Sequence, residues 1–258
     1  MSARRVVVHP DAEVLAQATA SRLLTRLLDL QSVRTPVHVV LTGGTVGIKV
    51  LADVAAHPVR DAVDWGAVHL WWGDDRFVPE GHADRNVQQA RDALLDHLPT
   101  LPAGNVHAMP AARPEDPAFT EDDAARDYAA ELARFAEPGD AAPQFDVLML
   151  GMGPDHHVAS LFPGHPALEV SGVATTGVAD SPKPPPLRVS LTFDAIRRAR
   201  EVWIVAAGAE KAAGVRAGLS GAPVVESPVA GAVGQDLTLW LVDAAAAGEA
   251  AEAVEGGA

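Results

Sequence analysis

The stretch FDVLMLGMG, residues 145–153, decides the fold class because it is almost entirely apolar and ends among glycines. A strand with one face in water alternates apolar and polar residues, whereas an unbroken apolar run is typical of a strand covered on both faces. Comparable runs are VHVVLTGG (37–44), VHLWWGDD (68–75), VWIVAAG (202–208) and LTLWLVD (237–243). The pattern predicts a buried β-sheet.

Segments with helical spacing of apolar residues separate these runs. The clearest lie at 11–30, 45–56, 121–137 and 209–219. Asp11 is placed to cap the first of them. Strands that alternate with helices form a mainly parallel sheet covered by helices on both faces, so the sequence predicts an α/β fold.

No long linker divides the chain, and one domain over residues 1–258 is predicted, with room for a small inserted lobe. Two segments, 109–119 and 179–187, are rich in proline. Because a residue before proline avoids the α region, the second is expected to be a stiff, extended loop. Residues 244–258 are low in complexity, and we expect them to form a flexible tail.

The composition narrows the functional classes. The formal net charge of −14 argues against a nucleic-acid partner, which would need a basic face. Cysteine is absent, which excludes a thiol nucleophile and a cysteine zinc site. No apolar segment approaches the roughly 18 residues of a membrane span. A cytoplasmic protein without a membrane partner is expected.

Glycines follow the second predicted strand in LTGGTVG, residues 41–47. Backbone amides at Gly43 and Gly44, at the start of a helix, can approach an anion closely, and Thr45 adds a hydroxyl donor. The spacing matches neither common nucleotide-binding glycine motif. Taken alone, the segment fits an anion site and a tight strand-to-helix turn equally well.

A charged group follows the third strand in WWGDDRFVPEGHADRN, residues 71–86. Asp74 and Asp75 can orient hydroxyl groups or cations, and Arg76 can hold a phosphate. Spacing alone favours the alternative, a solvated charged turn. Two further cations, Arg188 and Lys211, lie beside strand ends. Lys211 opens a helix, where a cation opposes the helix dipole and is more natural as an anion ligand; the alternative is a solvent-facing lysine.

Two adjacent histidines, His156 and His157, follow the strand that opens this section. A histidine there can act as a general base near neutral pH, and Asp155 is near enough in sequence to influence it. Neighbouring histidines point in different directions and rarely share a metal, so no metal site is predicted. The alternative is a loop histidine that caps the following turn.

These segments together resemble the 6-phosphogluconolactonase family. LGMGPDHHVASLFPG (150–164) is similar to the signature G-x-G-x-D-G-H-x-A-S-L-F-P, and WGDDRFVP (72–79), with Asn86 after it, is similar to a W-G-D-E-R-x-V-P…N block. Three other blocks match in order, LTGGT (41–45), KPPPLRVSLTF (183–193) and VWIVAAGAEKA (202–212). The resemblance extends from about residue 5 to residue 243.

The resemblance implies a Rossmann-like α/β fold, no cofactor, and hydrolysis of 6-phospho-D-glucono-1,5-lactone, a sugar-phosphate lactone, in the oxidative pentose phosphate pathway. It assigns catalysis to His157 together with Asp74, the first acid of its block. Substrate or phosphate binding falls to Gly43, Gly44, Thr45, Asp75, Arg76, Arg188 and Lys211.

The chain departs from the family pattern at three points. His156 replaces a glycine, Asp75 replaces a glutamate, and Val46 and Gly47 replace a common Thr-Pro pair. If the glycine position needs a positive φ, His156 costs about 1 kcal/mol or more there. Its ring would also crowd the sugar pocket if it turned inward.

Two other functions remain open. A sugar-phosphate isomerase or deaminase would use an acid as the base that moves a proton between two sugar carbons, with Asp74 as the candidate. A non-catalytic sugar-phosphate-binding module could use the same sheet. The A-S-L-F-P ending favours the lactonase.

Overall fold

The computed structural model describes residues 2–248. Within them the strands are β1 (Ala3–His9), β2 (Val37–Leu41), β3 (Val68–Trp72), β4 (Asp74–Arg76), β5 (Val147–Gly151), β6 (Thr175–Val178), β7 (Arg188–Leu191), β8 (Glu201–Ala206) and β9 (Leu237–Asp243). Six of them form a parallel sheet in the order β1-β9-β8-β5-β2-β3. The predicted, mainly parallel α/β fold is confirmed.

The helices of the described residues are α1 (Ala12–Gln31), α2 (Gly44–Ala56), α3 (Asn86–Ala93), α4 (Glu121–Ala133), α5 (Phe193–Ile196), α6 (Ala212–Ser220) and α7 (Ala244–Ala247). Asp11 caps α1 as predicted, because its side chain accepts a hydrogen bond from the amide of Val14 at 2.8 Å. Thr120 and Asp123 form a reciprocal capping box that starts α4. None of the helices among these residues is long and apolar enough to cross a membrane.

Both faces of the parallel sheet are covered. Every residue of β2 and β8 is buried, and consecutive residues of a strand point to opposite faces. This is why the sequence of these strands shows an apolar run rather than alternation. Residues of the strands and of α1, α2 and α4 join one continuous hydrophobic core.

Gly73 divides a segment that the sequence predicts as one strand. Its amide donates to the carbonyl of Leu41 in the parallel sheet, and its carbonyl accepts from the amide of Leu191. The chain then leaves the parallel sheet, and β4 pairs antiparallel with β7 in a second sheet of order β4-β7-β6. The change of sheet turns Asp74 and its neighbours towards the end of β5.

The first residues of the predicted flexible tail are helical. Residues Ala244–Ala247 form α7, capped by the side chain of Asp243, and Ala246 and Ala247 are buried. Burial of two small side chains explains why an alanine run stays helical here. The rest of the predicted tail, residues 249–258, lies outside the described residues.

Three histidines from separate segments stack beside Trp71. His38 Nδ1 accepts from Trp71 Nε1 at 3.1 Å, and its ring centroid lies 5.1 Å from that of His69. His69 Nδ1 lies 2.9 Å from His107 Nε2. Burial, and then the neighbouring His69, lower the pKa of His38 to about 4. Burial also lowers the pKa values of His69 and His107.

We predict that the protein loses stability relative to a His38→Gln variant as the pH falls from about 6.5 to about 4. In this window His38 takes up a proton in the unfolded chain but not in the folded protein, and this uptake stabilises the unfolded state. Above about pH 6.5 the imidazole is neutral in both states, so no stability has been lost there. The expected loss relative to the variant is about 3 kcal/mol by linkage. Urea unfolding at a series of pH values measures it.

The comparison with a variant is needed because the buried Asp75, whose pKa is raised to about 6 by burial, acts in the opposite direction over the same range. Asp75 is present in both proteins, so its effect cancels. Replacement of the exposed His97 by Gln is the matched control and should follow the wild-type curve. Parallel curves for the wild type and His38→Gln would contradict the prediction.

Candidate active site

A cavity of about 810 Å³ opens at the carboxyl ends of β2, β5, β8 and β9. Parallel strands end at the same edge of the sheet, and this edge is where ligands bind in open α/β sheets. The predicted site residues that line the cavity are Gly43, Gly44, Thr45, Asp74, Arg76, His157, Arg188 and Lys211. Folding thus brings together residues from segments that lie far apart in the sequence.

The glycine loop forms the amino end of α2. Gly44 has φ of 80°, and a Cβ on Gly43 would collide with the side-chain amide of Asn86. Gly44 is therefore favoured by its backbone conformation, and Gly43 by the side chain of Asn86 that lies against it. No side chain among the described residues caps α2, so its first amides are available to a ligand in the cavity. The segment is therefore a tight turn that also leaves the first amides of a helix facing the cavity.

Asp74 is held in a fixed position at the base of the cavity. Its Oδ2 accepts from Ser160 Oγ at 2.7 Å, and its Oδ1 accepts from Asn86 Nδ2 at 3.3 Å. Arg188 Nη1 lies 3.8 Å from Oδ2. The carboxylate faces the cavity and is only 9% exposed, which leaves it little freedom to move.

Asp75 corrects one prediction, because it lies behind the cavity wall and does not line it. Consecutive residues of β4 point to opposite sides, so Asp75 faces the interior when Asp74 faces the cavity. Its Oδ1 accepts from the amides of Asn86 and Arg76 at 2.6 and 2.9 Å. Arg85 Nη2 lies 3.2 Å from its Oδ2. The side chain organises the segment that presents Arg76.

His157 projects into the cavity with its orientation set by Asp155. Nδ1 lies 2.6 Å from Asp155 Oδ1, and a Cβ on Gly153 would occupy the position of the imidazole. Burial alone would raise the pKa of Asp155, but the hydrogen bond from His157 and the charge of Lys183 hold it well below its usual value. An ionised carboxylate only accepts, so the contact assigns a proton to Nδ1; in the neutral imidazole the acceptor is then Nε2.

His156 has a positive φ of 70° at the position where the family signature has a glycine. The condition under which the sequence analysis assigned it a backbone cost is therefore met. The side chain turns away from the cavity, and its Cδ2 would lie 3.0 Å from a Cβ at Gly214 in α6. The ring therefore packs over a glycine of α6 and does not crowd the cavity.

Lys183 is a site residue that was not among the ligands predicted from the sequence. Its Nζ lies 3.0 Å from Asp155 Oδ1 and 3.4 Å from His157 Nδ1, and it lines the cavity. The sequence holds a signal for it, since Lys183 is one of three lysines in the chain and opens the KPPPLRVSLTF block. Sequence spacing could not indicate that this loop brings Lys183 back to His157, which lies 26 positions earlier in the chain.

Arg188 and Lys211 both line the cavity, but in different ways. Nε and Nη2 of Arg188 donate to the backbone carbonyls of Lys183, Pro184 and Pro185, which leaves Nη1 for the cavity. Burial lowers the pKa of Arg188, against the charge of Asp74. Burial, and then the charge of Lys183, lower the pKa of Lys211 against that of Glu210.

Asn86 also lines the cavity and joins the charged segment to the glycine loop. Its side-chain oxygen accepts from Arg76 Nη1, and its Nδ2 donates to the carbonyl of Asp74 at 2.8 Å. The sequence comparison matched Asn86 to a family block without assigning it a contact. Its position against Gly43 explains why no side chain fits there.

The fold and the cavity define an α/β protein whose cavity, at the carboxyl ends of parallel strands, is lined by several cationic side chains and a histidine. Residues 10–240 match the model of the family described as glucosamine-6-phosphate isomerases/6-phosphogluconolactonase. The chain belongs to this family, and the resemblance drawn from its motifs is confirmed.

Relatives and solved structures agree with this assignment. The chain is 52% identical over 249 residues to the 6-phosphogluconolactonase of Streptomyces coelicolor, which covers 95% of this chain and 94% of the relative. It is 46% identical to that of Mycobacterium tuberculosis, over 94% of this chain and 96% of the relative. The structure of the Trypanosoma brucei 6-phosphogluconolactonase superposes with a TM-score of 0.80 at 27% identity, covering 96% of this chain and 98% of that one.

A monomeric glucosamine-6-phosphate deaminase shares the fold with a TM-score of 0.73 at 15% identity, over 94% of this chain and 98% of that one. At this identity the likeness concerns the fold alone. The fold therefore does not distinguish a lactonase from a deaminase, and the residues of the cavity are needed to distinguish these two activities.

We predict that His156→Ala is less stable than His156→Gly by about 1 kcal/mol, because a Cβ is disfavoured at positive φ. Both variants lose the ring, so their difference isolates the backbone cost. Gln17, an exposed residue inside α1, is the matched control, where the alanine variant should be the more stable of the pair. Urea unfolding of the four variants measures both differences, and an alanine variant as stable as the glycine variant at position 156 would contradict the prediction.

Proposed function

We propose that this protein hydrolyses 6-phospho-D-glucono-1,5-lactone to 6-phosphogluconate, in the oxidative pentose phosphate pathway. The observation that carries the proposal is the Asp155–His157 pair, which faces a cavity lined by cations at the edge of the sheet. The names of the bacterial relatives support the substrate. The absence of cysteine, which secreted scaffolds often use, favours a cytoplasmic enzyme.

The cavity suits a substrate with a phosphate group. The protein carries a net charge of −14, so an anion site must be built locally against the field of the whole molecule. Arg76, Arg188 and Lys211 line the cavity beside the uncapped amino end of α2. We assign phosphate binding to these cations and to the amides of Gly43 and Gly44, with the hydroxyl of Thr45 as a further donor.

Asp74 has a role in substrate positioning. Its carboxylate already accepts hydrogen bonds from Ser160 and Asn86 and lies beside Arg188. These contacts fix the carboxylate, which can accept a hydrogen bond from a sugar hydroxyl and hold the ring over His157. The prediction that Asp74 acts in catalysis is kept in this form, while Asp75 supports Arg76 from behind.

His157 acts as the general base. With Nδ1 donating to Asp155, Nε2 accepts a proton from water as the water oxygen bonds to the lactone carbonyl carbon. The cationic lining stabilises the negative charge that develops on the carbonyl oxygen. The bond between that carbon and the ring oxygen then breaks, and the proton on Nε2 passes to the departing ring oxygen. The new carboxylic acid group loses the second proton of the water to solvent, and the product leaves with a carboxylate.

We predict that His157→Gln lowers kcat by at least about 100-fold while changing KM little, because the base acts on water and not on substrate binding. The rate of acid release from purified lactone, corrected for spontaneous ring opening, measures this. The matched control is His156→Gly, which replaces the adjacent histidine outside the cavity and should keep the wild-type kcat.

Unchanged turnover in His157→Gln would refute the assignment of the base. Release of ammonia from glucosamine 6-phosphate, without lactone hydrolysis, would instead support the deaminase function. Stabilisation by 6-phosphogluconate without turnover of the lactone would support a binding module. Each result identifies a different function for the same cavity.

A further inference from the structure

We propose that Lys183 is a positioning residue for His157. Its ammonium group fixes Asp155 against the imidazole and disfavours the protonated imidazole, so that the base is held neutral and oriented before the substrate arrives. The inference rests on the proposed function, since it concerns how that function's base is prepared.

The geometry places one carboxylate oxygen between two donors. Asp155 Oδ1 lies 2.6 Å from His157 Nδ1 and 3.0 Å from Lys183 Nζ. Lys183 Nζ lies 3.4 Å from His157 Nδ1, where both groups carry protons and cannot bond to each other. A carboxylate alone would favour an imidazolium, which cannot accept a proton. The ammonium opposes that effect while it holds the carboxylate in place.

The loop at residues 181–188 is built to hold this lysine. Ser181 Oγ donates to the carbonyl of Lys183 at 2.9 Å and accepts from its amide at 3.3 Å, and the amide of Ser181 donates to the carbonyl of Pro186. Arg188, which is 4% exposed, donates to the carbonyls of Lys183, Pro184 and Pro185. The buried guanidinium of Arg188 thus donates three hydrogen bonds to the loop rather than to a ligand.

The other groups around His157 do not replace this function. Phe162 packs on the imidazole with ring centroids 4.5 Å apart and carries no charge. Lys211 interacts electrostatically with Asp155 and Lys183, and Glu210 lies 3.9 Å from its Nζ. Among the described residues, the charged side chains in direct contact with the imidazole are therefore Asp155 and Lys183.

The test compares Lys183→Met, Lys183→Arg and the control Arg126→Met. Arg126 is an exposed cation of α4, and its replacement removes the same charge far from the cavity. For Lys183→Met we expect kcat to fall at least about tenfold, because the base is less well oriented. In a plot of kcat against pH, the acid limb should move to higher pH by about one unit, which is the size of shift that loss of a neighbouring charge produces.

Lys183→Arg should recover most of kcat and restore the position of the acid limb, because the cation is kept. KM should change less than about twofold in both variants, whereas loss of a substrate ligand raises it. Arg126→Met should match the wild type. The kcat profile is used because the phosphate of free substrate titrates near pH 6 and would affect kcat/KM.

NMR titration of the His157 imidazole, assigned with His157→Gln, separates this inference from the proposed function. If the wild type fails to hydrolyse the lactone but the His157 titration still moves upward in Lys183→Met, the function is refuted and the positioning role stands. If lactone is hydrolysed but the titration and the acid limb stay in place, the positioning role is refuted. A raised KM with unchanged kcat would also refute it, since Lys183 would then bind substrate directly.

Discussion

The common direction of the strands in the parallel sheet is the constraint on which the site depends. Since β2, β5, β8 and β9 all end at one edge, the loops that follow them meet there without any long connection. Each loop then has to fit within a few ångströms of the next. This requirement explains the close contact between Gly43 and Asn86, and the space that Gly153 leaves for His157.

The site gathers cations in a strongly acidic protein. Its lining holds Lys49, Arg76, Lys183, Arg188 and Lys211 beside the acids Glu13, Asp74, Glu210 and Asp243. The acids around it serve these cations in different ways. Asp74 faces the cavity beside Arg188, Asp75 holds the segment of Arg76 from behind, and Asp155 lies between His157 and Lys183. Burial and short contacts make each of these acids part of the scaffold.

His156 shows how a departure from a family pattern can be accommodated. The backbone keeps the positive φ that a glycine would adopt freely, and the ring packs over Gly214 of α6. The two adjacent histidines therefore have separate surroundings, because their side chains leave the loop in different directions. One faces the cavity and the other packs against a helix.

The sequence by itself determined the α/β fold and the turn at the glycine loop, because apolar runs and glycines are local properties. The choice of His157 over His156 for catalysis came from the family resemblance and stays a prediction. The sequence also contained the alternation that directs Asp74 and Asp75 to opposite sides of β4, although the break at Gly73 hid where β4 begins. Only the tertiary structure decided that Lys183 contacts Asp155 and that Arg188 donates hydrogen bonds to carbonyls of the loop at residues 181–188. Those contacts join segments through loop conformation, and loop conformation depends on carbonyls and side chains that sequence spacing does not place.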